Sequence, residues 1–170
     1  MLQEDVFNYG GIVLAFVAIY TIAKLKHSYD HPVSLEFIKL GNEVFQQAAR
    51  TGQLVADFPP PEGPLPQEAT EGEGFPMLTL TVWNSILSPY RFAYAGRHKQ
   101  ALRDRDKWID SHPPQEKKPK YVVWWVEKEE DVSWDEAFKR YNFYIEHGPT
   151  PFAFDFKHAF DKFGETVFLK

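Results

Sequence analysis

Cysteine is absent from these 170 residues. That excludes disulfides, thiolate metal centres and a cysteine nucleophile. Long apolar runs are scarce too. The longest covers residues 12–20, or 12–22 if Thr21 is counted, whereas a membrane-crossing helix needs about 20 apolar residues. The chain opens on Gln3-Glu4-Asp5, the wrong sign for a secretory leader. Lys24 and Lys26 follow the apolar run, but its Val, Ile and aromatic content reads as a buried strand. A soluble, cytoplasmic protein with no membrane partner is expected. Positive charge is in short supply as well. Lys and Arg number 19 against 24 Asp and Glu, a net charge of −5. The electrostatic footprint of a nucleic-acid binder is therefore missing. No GxxxxGK[ST] loop, dinucleotide fingerprint or GxSxG elbow occurs, so phosphate-loop, nicotinamide and flavin chemistry have no support.

Aromatic residues are what the chain has in excess. Fifteen Phe, eight Tyr and five Trp make 16% of it. One small core rarely needs so many rings, which points to a second use in a pocket or an interface. The length fits one domain over residues 1–170.

The pattern along the chain alternates between strand and helix. Residues 12–22 read as a strand after Gly10-Gly11. Ser34 is placed to cap a helix that runs to Arg50 and stops at Gly52. Residues 53–58 read as a short strand. Residues 59–76 are rich in Pro, Gly and Glu and read as a solvated loop, either an insertion or a flap over a site. Residues 77–83 alternate, with Leu78, Leu80 and Val82 on one face and Thr79, Thr81 and Trp83 on the other. Ser88-Pro89 signals a helix start, and helical spacing then continues to Ile109. Residues 121–126 form a fully apolar strand. Ser133-Trp134-Asp135-Glu136 spells a capping box for a helix ending at Gly148. Residues 151–156 alternate again, with Phe152, Phe154 and Phe156 on one side, and the last dozen residues read as a docking tail. The order is the split βαβ, ferredoxin-like α+β pattern with an extra C-terminal helix and strand. One sheet face would be covered by helices. The other also carries large apolar residues and calls for a cover, most simply a second copy in a homodimer.

Several segments carry a family likeness. They are Leu80-Thr81-Val82-Trp83-Asn84-Ser85, Tyr94-Ala95-Gly96-Arg97-His98, Trp108, Val123-Trp124-Trp125-Val126 and His147-Gly148-Pro149-Thr150-Pro151 with Ala153-Phe154. Together they resemble an uncharacterised family of the dimeric α/β-barrel superfamily, over about residues 13–160. That superfamily includes antibiotic-biosynthesis monooxygenases, haem-degrading monooxygenases, chlorite dismutases and small polyketide cyclases. Thr21 stands where the family's Asn is expected, and residues 59–76 replace a shorter link. The resemblance implies a dimeric α/β barrel. It suggests a cofactor-independent enzyme that oxygenates or cyclises a small aromatic or polyketide-like molecule.

His98 is the leading catalytic candidate, because its spacing puts it on the helix face toward the sheet. A neutral imidazole there can act as general base, or it can be a core histidine bonded to a backbone carbonyl. Haem-binding members of the superfamily carry an axial His in the helix after the third strand. The resemblance therefore makes His98 a possible haem ligand, beyond Trp83. Trp83, Tyr94, Trp108 and Trp124 could line a pocket for a planar substrate, or simply pack the core. Trp124 and Trp125 must point to opposite faces. Arg97 could meet an anionic group, and His147 could contribute to a site at the end of its helix. His27 and His31 have metal-ligand spacing only on a helix, and Asp30-His31-Pro32 reads as a turn. A non-catalytic dimer that binds a small hydrophobic ligand is the remaining alternative.

Overall fold

The computed structural model describes residues 15–94, 96–109 and 118–170, with the side chain of Arg97 outside that description. Residues 12–14 of the expected first strand, Ala95 and most of the basic loop before residue 118 also lie outside it. Strand β1 is Phe16–Leu25, helix α1 Pro32–Arg50, β2 Leu54–Asp57, α2 Gln67–Thr70 and β3 Phe75–Trp83. Helices α3, Leu87–Tyr94, and α4, Gly96–Arg103, follow, then β4, Tyr121–Val126, and α5, Trp134–His147. A short hairpin, β5 Ala159–Phe160 and β6 Thr166–Val167, ends the chain.

The main sheet has the order β2-β3-β1-β4 with every pair antiparallel. This is the ferredoxin-like α+β arrangement. Strands β1 and β3 are central, with Val17 opposite Trp83 and Leu25 opposite Phe75. Alternation then sorts the side chains into two dry layers. Val17, Ile19, Thr81, Trp83 and Val123 are buried on one face, under α1, α3 and the C-terminal segment. Ala18, Tyr20, Leu80, Val82, Val122 and Trp124 are buried on the other, under α5 and α2. Trp124 and Trp125 do point to opposite faces.

The second face was expected to need another copy of the chain. Instead α5 covers it from within the same chain, laying Ala137 and Tyr141 against it. Arg140 on α5 stacks its guanidinium 4.1 Å from the Phe152 ring centre and 5.4 Å from that of Trp124. It also donates to Glu136 Oε1 at 2.7 Å and to the Phe152 carbonyl. That grip fixes the turn after α5 over the sheet.

Residues 59–76 also depart from expectation. Their composition suggested a solvated loop, but they hold α2, whose Ala69 is fully buried, and Leu65 packs on the same core. The spacing of Leu65 and Ala69, four residues apart, was hidden by the surrounding Pro and Glu. The Trp134 indole N–H donates to the Pro59 carbonyl at 2.9 Å, tying this segment to α5.

Three local signals resolve differently. Helix α1 is capped by His31, whose Nδ1 accepts from the Val33 amide at 3.2 Å, while Ser34 is buried and donates to the His27 carbonyl. Helix α3 starts before Ser88-Pro89, with the Ser85 hydroxyl accepting from the Ser88 amide. The expected single helix to Ile109 breaks at Gly96, which sits at φ 51°. Glycine adopts that left-handed conformation without a Cβ clash. Capping of α5 follows its sequence signal. Ser133 Oγ accepts from the Glu136 amide, and Gly148 at φ 74° ends the helix.

The chain beyond α5 turns at Thr150–Ala153, which exchange two backbone hydrogen bonds. Phe154 then pairs with Val123 on the edge of β4. The turn breaks the expected alternation. Phe152 packs on the α5 side, while Phe154 and Phe156 pack on the other. The last residues do dock. Ala159, Phe160, Val167 and Leu169 join the layer around Trp83, and the Trp125 indole N–H donates to the Phe160 carbonyl at 2.8 Å. Among the described residues, no helix is long and apolar enough to cross a membrane.

Candidate functional site

The seven residues singled out in the sequence do not converge on one place. Trp83 is 2% exposed, and its indole N–H donates to Thr81 Oγ1 at 2.9 Å. Phe92 of α3 packs 4.9 Å from the Trp83 ring and 5.0 Å from the His98 ring. His98 and Trp83 are therefore linked, but by an intervening phenyl group. Trp124 is fully buried on the opposite face of the sheet. Trp108 lies at the Leu25 end of β1, where its carbonyl accepts from the Lys26 amide and its ring packs 5.4 Å from Phe37. His147 is exposed at the end of α5, stacked on Phe143 at 4.1 Å. Arg97 lies on α4, but its side chain is outside the described residues.

His98 is half-buried and hydrogen-bonded to the backbone. Its Nδ1 lies 2.9 Å from the Ala93 carbonyl. A carbonyl only accepts, so Nδ1 carries the proton and Nε2 keeps its lone pair. The bond serves a carbonyl in the last turn of α3, where helix carbonyls lack partners further along the helix. Burial pushes the His98 pKa below its ordinary value, against the opposing pull of the Ala93 hydrogen bond. The imidazole is thus held neutral. The rings of His27 and His31 stack at 4.1 Å in the turn before α1.

Tyr94 leads to the site that the structure does form. It is 54% exposed and makes an edge contact with Tyr90, 5.1 Å away, one turn earlier on α3. Tyr90 meets Phe156 edge-on at 5.7 Å, and Phe156 lies 5.2 Å from Tyr121 on β4. These four rings, with Lys157 and Phe168, border a half-open hollow of about 270 Å³. Tyr121 is its polar anchor. The hydroxyl accepts from the Phe156 amide at 3.2 Å, and its own proton has no acceptor among the described residues. Burial pushes its pKa up to about 12; the Phe156 amide pulls the other way, and the Asp155 carboxylate adds to the rise. The phenol is thus a donor at neutral pH.

Asp155 shapes this rim from behind. Its Oδ1 accepts from the amides of Lys157 and His158, both at 2.8 Å, and from His158 Nδ1 at 3.1 Å. The Tyr144 hydroxyl donates to Oδ2. Burial would raise the Asp155 pKa, but these hydrogen bonds and His158 outweigh it and hold the carboxyl below its ordinary value. The carboxylate thus fixes the turn that carries Phe156 and Lys157.

Residues 16–167 match the family described as a domain of unknown function, DUF3291. The chain belongs to that family. A search of curated proteins finds no match to this DUF3291 chain. The match covers every strand and helix described above, from Phe16 to Val167.

Of the residues that border the hollow, the sequence singles out Tyr94 but not Tyr90, Tyr121, Phe156, Lys157 or Phe168. Tyr90 stands four residues before Tyr94 on a helix, a spacing that puts both rings on one face. Tyr121 and Phe156 meet only because the chain doubles back along β4, and local spacing does not reveal that contact.

Proposed function

We propose that this DUF3291 protein binds a small planar aromatic molecule bearing an anionic oxygen, in the hollow between α3, β4 and the C-terminal segment. The observation that carries this reading is the Tyr90–Tyr94–Tyr121–Phe156 ring cluster around an uncommitted phenol proton. Flat walls suit a planar skeleton, and Tyr121 can donate to an oxygen on it. Lys157, exposed at the rim with no ion pair among the described residues, supplies the complementary charge.

The reading stops at binding. Oxygenation or cyclisation with His98 as base gains no support from the packing, since His98 does not border the hollow and its ring rests on Phe92. Haem ligation by His98 is not supported either, because Phe92 fills the space between the imidazole and Trp83. The homodimer expectation was drawn from an open sheet face; α5 of the same chain covers that face, and the residues that border the proposed site come from this chain.

Calorimetric titration with 2-naphthoate tests the proposal. Phe156→Ala should weaken binding by roughly tenfold or more, through loss of the stacking wall. Tyr121→Phe should weaken it by about three- to tenfold, the usual worth of one hydrogen bond. Binding that ignores both substitutions would place the ligand elsewhere and end this reading.

A further inference from the structure

A second half-open hollow lies on the other side of the molecule, between the proline-rich segment and the start of α5. Its volume is about 390 Å³, within the size range of small-molecule sites. Its floor is two rings, Trp134 and Phe138, 5.8 Å apart and tilted by 35° like an open book. Its rim carries two carboxylates, Glu62 and Asp135, and no cation. Both are exposed, and neither has an ion pair or hydrogen bond among the described residues. Elsewhere on α5 the acidic Glu136 is engaged by Arg140 and Lys139. Glu62 and Asp135 thus lie unpaired where the aromatic floor is open.

The rings are held before any ligand arrives. Tyr20 packs edge-on against both, at 6.1 Å and 5.6 Å. The Trp134 indole N–H is bound to the Pro59 carbonyl, which fixes the plane of the ring. Pro61, Pro64 and Pro66 form the opposite wall. Proline carries no amide N–H, so this wall offers no donors to an anion. At the start of α5, Ser133 Oγ caps the Glu136 amide, and Glu136 adds negative charge to the first turn.

We infer that this hollow is a binding site for a small organic cation, a quaternary or protonated amine. The ring faces attract positive charge through their quadrupoles, and Glu62 and Asp135 supply the counter-charge. The inference does not depend on the proposed aromatic-anion site, which uses other residues.

Choline and 3,3-dimethylbutan-1-ol, its neutral carbon isostere, separate charge from shape. Each is titrated into the full chain while the Trp134 indole N–H is followed by nuclear magnetic resonance, with Trp134→Phe assigning the signal. Choline should move that signal with an affinity about tenfold above the isostere. The double variant Glu62→Gln, Asp135→Gln should erase the difference, and added salt should shrink it. Equal binding of the two ligands would reduce the hollow to an apolar cleft and overturn the inference. So would a signal that choline leaves unmoved, or a preference for choline that survives the double variant.

Discussion

Both faces of the sheet are packed with aromatic rings but settle some of their polar atoms differently. On the face under α1 and α3, the Trp83 indole finds Thr81, and the Trp125 indole finds the Phe160 carbonyl. On the face under α5, the Tyr20 hydroxyl and the Trp124 indole N–H are buried without a hydrogen-bond partner among the described residues. They are compensated by rings and charge instead. Tyr20 makes edge contacts with Trp134, Phe138 and Tyr141, and Trp124 lies beneath the Arg140 guanidinium. Trp83 and Trp125 are held by directional bonds; Tyr20 and Trp124 are held by contacts that depend on area and quadrupole, and these are less exacting about position. The hollow with the free carboxylates opens beside that second face.

The largest effect should come from emptying the second face. Trp124→Ala removes a fully buried ring and is expected to cost about 3–5 kcal/mol in urea unfolding. Phe168, 77% exposed, is the control, and its replacement by Ala should change stability by less than about 0.5 kcal/mol. If the two substitutions cost the same, α5 does not seal that face in solution, and the symmetry of the two layers fails.

Trp124 and Trp83 were both legible as strand residues, and the capping box of α5 was legible to the residue. The order of the elements led directly to the sheet. What the sequence could not display was the destination of α5. An amphipathic helix after the fourth strand can cover its own sheet or a neighbour's, and its apolar stripe is the same in both cases. The proline segment misled for a related reason. Two apolar residues, Leu65 and Ala69, are enough to seat it on the core, yet they barely alter its composition. The site was harder still. Phe156 reaches Tyr121 through a turn at Thr150–Ala153, and no period in the sequence encodes that meeting. His98 shows a different gap: its helical spacing reads as inward-facing, but spacing does not reveal that its Nδ1 meets the Ala93 carbonyl and its ring rests on Phe92.

Deleting a hydroxyl from each face sharpens the comparison at a smaller scale. Thr81→Val strands the buried Trp83 indole N–H, and leaving a buried donor unpaired costs about 1–3 kcal/mol. Tyr20→Phe removes a hydroxyl that has no partner to lose. It should be close to neutral, because a lost desolvation penalty offsets the small void left behind. Urea midpoints of the two variants read the contrast directly. A cost for Tyr20→Phe equal to that of Thr81→Val would mean that the Tyr20 hydroxyl is bonded in solution, and the distinction between the faces would fall.

The smallest effect belongs to the helix layer above the first face, where His98 is held neutral. Its folded pKa lies below the ordinary 6.5, chiefly because burial disfavours the charged ring. The unfolded chain then binds more protons than the folded chain between the two values, so stability rises with pH across that window. As pH falls from neutral through 6.5 the wild type should therefore lose stability, and the loss should level off once the folded imidazole also protonates. His98→Gln keeps a side-chain N–H that can reach the Ala93 carbonyl but cannot titrate. Subtracting its unfolding free energy from that of the wild type, pH by pH, isolates the one histidine from the other five. The difference should fall in favour of the variant on the acidic side of 6.5. A difference that stays flat would mean that His98 titrates alike in both states, which requires the ring to leave Phe92 and face water, and the packed α3–α4 corner that separates it from Trp83 would have to be open.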